Sequence, residues 1–173
     1  MSRNRQVAPS SPHGWLDPEE QRAWLAYIRV QLRLTYEMNR QLQADSGLSL
    51  ADYDVLAALS SSPSGRMQIT ALAAEIGWER SRVSHHVRRM ARRGLVDCAS
   101  MRSDRRVTEV GLSDAGIEAI ANAAPGHVEF VKRLFFGGVP RSLLAPLAEA
   151  LEGAYREILA GGTLPPPPGH PPG

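Results

Sequence analysis

The stretch ITALAAEIGWERSRVSHHVRRMARRGLV, residues 69–96, decides the fold. Ile69, Leu72, Ala73 and Ile76 recur at helical spacing as far as Gly77, a residue suited to ending a helix. After Gly77-Trp78 the spacing resumes with Val83, Val87, Met90 and Ala91 and closes at Gly94. Two short helices joined by so tight a turn read as a helix-turn-helix, the second being the one that enters a nucleic-acid groove. Turning about 100° per residue with Val83, Val87 and Met90 inward places Ser81, Arg82, His85, Arg88, Arg89 and Arg92 outward, with Ser84 at the margin.

Working outward, Ser49 and Asp52 form a capping box for a preceding helix carrying Tyr53, Val55, Leu56 and Leu59, which the stretch 60–65 ends. Downstream, residues 95–100 and 106–112 are short and alternating enough for two strands around a tip at 101–105, a hairpin wing that carries arginines. Asp17-Pro18-Glu19-Glu20 starts a helix in which Trp24, Ile28, Leu32, Tyr36 and Leu42 keep helical spacing to about Asp45. Such a helix is on the order of 40 Å long, more than one small domain covers, so part of it is expected to pack on a second chain. Ser113 caps a helix with Ile117, Ile120, Val128, Val131, Leu134 and Phe135, expected to be interrupted and kinked at Pro125-Gly126. Pro140 opens a last helix with Leu143, Leu144, Leu147, Leu151, Tyr155 and Ile158.

The expected fold is mostly α: a winged helix-turn-helix of about six helices and a small β-hairpin wing, with an α-helical dimerisation platform. Residues 1–14 read as an unfolded tail, 15–46 as a dimerisation helix and 47–112 as the winged head. Residues 113–160 read as further dimerisation helices and 161–173 as an unfolded Pro-rich tail.

Charge distribution says more than net charge. The chain is formally +2, yet residues 78–106 hold nine arginines against Glu79, Asp97 and Asp104, a surplus of six. A basic island on a mildly acidic body marks a chain that meets a polyanion at one place. Ser81, Arg82 and His85 would reach base edges of duplex DNA, and Arg88, Arg89 and Arg92 its phosphates, with Ser84 at the margin of the same DNA-binding face. Arg105 and Arg106 on the wing suit an adjacent minor groove, and Asp104 would either hold a neighbouring arginine in a bidentate pair or serve as a turn residue.

Other classes find little support. No Gly-rich phosphate loop, nucleophile elbow or paired metal motif is present, so neither catalysis, a cofactor nor a metal is expected. His85 and His86, adjacent on a helix, point to different sides and cannot share a metal. The single cysteine, Cys98, excludes an intrachain disulfide framework, and beside Asp97 it reads as packing rather than as a redox sensor. No apolar run could span a bilayer and the first residues lack a secretory pattern, so a cytoplasmic protein without membrane contact is expected. A winged-helix protein-interaction module without DNA binding remains the alternative reading.

Leu72-Ala73, Gly77, Val83, Val87, Met90, Gly94-Leu95-Val96, Asp104-Arg105-Arg106 and Val110-Gly111-Leu112-Ser113-Asp114-Ala115-Gly116 together resemble the MarR family of bacterial regulators, in order and spacing. The resemblance covers about residues 16–160. It implies a homodimer with two winged heads on a palindromic operator, usually a repressor, often released by a small aromatic ligand. Asp104 and Arg106 match the family's wing salt bridge and minor-groove arginine. Cys98 replaces a frequent basic residue, Ser113 a threonine, and Met90-Ala91 a Leu-Glu pair. For the implied ligand, Trp15, Trp24, Tyr27 and Tyr36 with His127 and Phe130 could line an aromatic cleft, although aromatics at helical spacing also serve as core.

Overall fold

The computed structural model describes residues 15–100 and 108–169. Its helices are α1 (Pro18–Ser46), α2 (Leu50–Ser61), α3 (Ile69–Glu75), α4 (Arg80–Arg92), α5 (Asp114–Leu134) and α6 (Leu144–Gly161), and its strands β1 (Arg66–Gln68), β2 (Val96–Ser100) and β3 (Thr108–Leu112). The chain divides into two compact units inside α1, Met1–Tyr36 and Glu37–Gly173.

The first unit begins with the expected cap. Asp17 Oδ1 accepts from the amides of Glu19 and Glu20 at 2.8 Å, while Glu20 Oε2 accepts from the Asp17 amide. Three amides at the helix start are thereby satisfied, those of Asp17 and Glu20 reciprocally.

In the second unit, α2, α3 and α4 close around one core in which Leu56, Leu59, Leu72, Val83 and Met90 are fully buried. Leu42 from α1, Val96 and Val110 from the sheet, and Ala123 from α5 complete it. Gly77 and Gly94 follow α3 and α4 with φ of 68° and 75°, the left-handed conformation that lets a chain leave a helix sharply and that a Cβ disfavours.

The two wing strands form as expected, antiparallel with Val96 opposite Leu112 and Ser100 opposite Thr108. A third strand was not expected. β1 adds to the other edge of β3, Arg66 opposite Gly111, giving the order β1-β3-β2. Three residues are too few to show an alternating pattern, and this pairing depends on a partner more than 40 positions away.

Two expectations are corrected. α5 runs unbroken through Pro125: the proline removes one amide donor, but it lies on an exposed side of the helix, where water can satisfy the carbonyl left over one turn earlier. α6 starts at Leu144, because Arg141–Leu143 forms a 3-10 turn after Pro140. The stretch after α6 has neither helix nor strand through Gly169, but Pro167 within it is buried. No helix among the described residues is long and apolar enough to cross a membrane.

Candidate nucleic-acid interface

The candidate surface is one face of α4. Val83, His86, Val87 and Met90 are buried, whereas Ser81, Arg82, His85, Arg88, Arg89 and Arg92 are exposed, the division that the helical wheel requires. Ser84 is half-buried and its hydroxyl donates back to the Arg80 carbonyl at 2.8 Å. The adjacent histidines lie on opposite sides, His85 out and His86 in. Asp104, Arg105 and Arg106 lie outside the described residues.

Among the described residues, Arg93 is the arginine of α4 and its C-cap that is ion-paired, and Arg80, Arg82, Arg88, Arg89 and Arg92 form no ion pair with a carboxylate. Like charges left together on one helix repel, a cost that an anionic partner removes. Two of these guanidinium groups have other partners. Arg82 lies 3.9 Å from the centroid of the Trp78 ring, a cation–π arrangement. Arg89 Nη2 donates to His86 Nδ1 at 2.8 Å. Both arginines line an open depression of about 320 Å³ with Ser49, Ala51, Trp78, His85 and His86.

Beneath this face sits a buried charge that sequence reasoning read only as a cap. Asp52 and Ser49 do form the capping box, with Oδ2 accepting from the Ser49 amide and Ser49 Oγ from the Asp52 amide, each at 3.0 Å. Asp52 is also 98% shielded from solvent, accepts from Arg93 Nη1 at 2.7 Å, and has His86 Nε2 at 3.1 Å from Oδ1. That last contact is oblique, close enough for electrostatic attraction and out of line for a good hydrogen bond. Burial alone would raise the Asp52 carboxyl, but His86, Arg93 and Ser49 outweigh it and hold the group well below the usual carboxylate range. Neighbouring Asp54 is raised by burial, with Arg82 and His86 working against that shift.

Cys98 on β2 lines a second depression with His85, Arg88, Ala91 and Arg92. Partial burial and Asp97 push its thiol up, and Arg88 offsets them only in part. Arg88 reaches this thiol from α4, ten positions earlier, and the residues flanking Cys98 in sequence do not announce it.

The aromatic residues expected around a ligand fall into two groups. In the first unit Trp24 and Tyr27 have ring centroids 5.7 Å apart, and Trp15 and Tyr36 are exposed. In the second, His127 lies 4.5 Å from Tyr53 and 6.4 Å from buried Phe130, and its Nδ1 is 3.2 Å from Gln41 Oε1. Burial lowers the His127 pKa. Tyr53 is the member of this group that helical spacing on α2 did not reveal.

Residues 46–106 match the MarR family. No curated protein matches the chain. Among solved structures, AbsC, a MarR family transcriptional regulator from Streptomyces coelicolor, is 34% identical, with 83% of this chain and 97% of AbsC covered at a TM-score of 0.77. Sco3205, a MarR family transcriptional regulator from the same organism solved in complex with DNA, is also 34% identical, covering 88% of this chain and 99% of its own at 0.81. The M. tuberculosis transcriptional regulator MOSR, likewise solved with DNA, is 26% identical over 76% of this chain and 97% of its own at 0.59.

Proposed function

Because the chain belongs to the MarR family of transcriptional regulators, we propose that it is a homodimeric repressor that binds a palindromic operator in duplex DNA through the exposed face of α4. The observation that carries this reading is the row Arg82, Arg88, Arg89 and Arg92, exposed on one helix and without a described carboxylate partner. Ser81, Arg82 and His85, nearer the start of the helix, face base edges, and Arg88, Arg89 and Arg92 face phosphates. Arg105 and Arg106 enter the neighbouring minor groove, with Asp104 steadying one of them. The DNA-bound state of Sco3205 supports the assignment.

The dimer reading is supported by α6, in which no residue is buried within one chain. Leu151 and Ile158, seven positions apart on one side of it, are exposed, leaving apolar surface that a second chain could cover. Operator release by a small aromatic ligand is the remaining part of the proposal. Its candidate contacts are His127 and Phe130 of the second unit, whose ring centroids lie 6.4 Å apart.

Selection of bound sites from random duplexes, followed by titration at several salt concentrations, tests the reading. Expected are inverted repeats with half-sites about 10 bp apart, and affinity that falls steeply as salt rises. Absence of salt-dependent duplex binding would instead favour a protein-interaction module.

A further inference from the structure

Arg89 faces the proposed DNA surface, yet it is held from within the fold. A guanidinium has five donors and no acceptor, so the 2.8 Å contact from Arg89 Nη2 can form only with a His86 Nδ1 that carries no proton. The ring proton then sits on Nε2, the atom 3.1 Å from the Asp52 carboxylate. Asp52 favours that tautomer electrostatically, and Arg93 and the Ser49 amide anchor Asp52 in turn. The His86 ring is buried and stands nearly perpendicular to Trp78, at 85° and a centroid distance of 5.6 Å, so its plane is fixed by packing as well. Trp78, on its face, carries Arg82.

We propose that His86 is a positioning residue for DNA binding: held in its Nε2–H tautomer by buried Asp52, it orients Arg89 toward the DNA before DNA arrives. The inference rests on the DNA-binding reading above and adds an internal residue to it that touches no DNA. Its physical value is entropic. Arginine is a long, rotamer-rich side chain, and one already held in place loses less freedom when it meets a phosphate.

A double-mutant cycle in the full-length protein on its selected duplex tests this. His86→Phe keeps a ring against Trp78 but offers Arg89 no acceptor; it is expected to weaken binding by about 3- to 10-fold, the loss expected when one long side chain must be immobilised on association. His86→Gln, whose amide can accept from Arg89 and donate toward Asp52, is expected to bind within about 2-fold of the parent. In an Arg89→Ala background His86→Phe should change affinity no further. An equal loss with and without Arg89 would overturn the positioning role while leaving DNA binding intact. Failure of the parent chain to bind any duplex would overturn the DNA reading, and this inference with it. If His86→Phe does not fold, the imidazole ¹⁵N spectrum of the parent decides. An unprotonated Nδ1 that shifts on Arg89→Ala supports the relay, and a protonated Nδ1 refutes it.

Discussion

Arg93 Nη1 donates to Asp52 Oδ2 at 2.7 Å, joining the C-cap of α4 to the first turn of α2 across 41 positions of sequence. The same guanidinium reaches the Gly47 carbonyl at 3.4 Å. One carboxylate thus caps a helix, anchors the end of the proposed reading helix and polarises His86. Because Asp52 is buried, losing its charge leaves Arg93 without its counter-ion and His86 Nε2 without the carboxylate that faces it.

Asp52→Asn preserves a capping side chain but removes that charge, and it is expected to cost about 2–3 kcal/mol. Urea unfolding of the two proteins measures the difference. The pH dependence follows in sign. Asp52 titrates lower in the folded state than in the unfolded chain, where it titrates at about 3.9, so its contribution is complete above that value and declines as pH falls from there through the folded pKa. The gap between parent and Asp52→Asn should therefore be constant near neutrality and narrow in acid. A gap that widened below pH ~4 would contradict the assignment.

Arg88 and His85 separate affinity from specificity. Arg88→Ala is expected to weaken binding to all duplexes alike and to lower the slope of log K against log salt by about 1. His85→Ala should alter which sequences are preferred, with mismatch penalties changing by about 1–3 kcal/mol at one position. Equal effects of both variants on selected and random DNA would refute the division of roles.

Ile158 is 63% exposed on α6, so a charge there leaves the monomer's packing untouched. Ile158→Asp is expected to shift the protein toward monomer in sedimentation velocity and to weaken operator binding with it, while helicity by circular dichroism stays the same. An unchanged dimer would remove α6 from the platform.

Gly116 lies in the first turn of α5, where its amide donates to Ser113 Oγ at 3.0 Å. A Cβ there would fall on the Leu95 carbonyl oxygen and press on Leu56 Cδ2 at 3.4 Å. Alanine gains about 1 kcal/mol of helix propensity at an ordinary glycine, but here backbone must move, and Gly116→Ala is expected to destabilise by a net 1–3 kcal/mol or so in thermal or urea unfolding.

Cys98 should alkylate slowly. Its thiol lies above the ordinary range near 8.5, so at neutral pH less thiolate is present than in a free cysteine. The pH profile of iodoacetamide labelling is expected to be displaced upward, and mild oxidation is expected to leave operator binding intact.

What local sequence could determine, it did. The amphipathic spacing of Val83, Val87 and Met90 separated the buried from the exposed side of α4, because a helix of fixed period carries its own division into faces. The capping boxes at Asp17 and Ser49 were equally legible, since their donors and acceptors lie three residues apart. Asp52, Arg93 and His86 belong to a different order of information. Nothing within a few residues of Asp52 says that a guanidinium and an imidazole will arrive from another helix, and β1 similarly became a strand only when β3 came alongside. The reason is physical: a period or a cap is satisfied by neighbours in the chain, whereas a buried charge or an added strand is satisfied only by groups that folding brings together from afar.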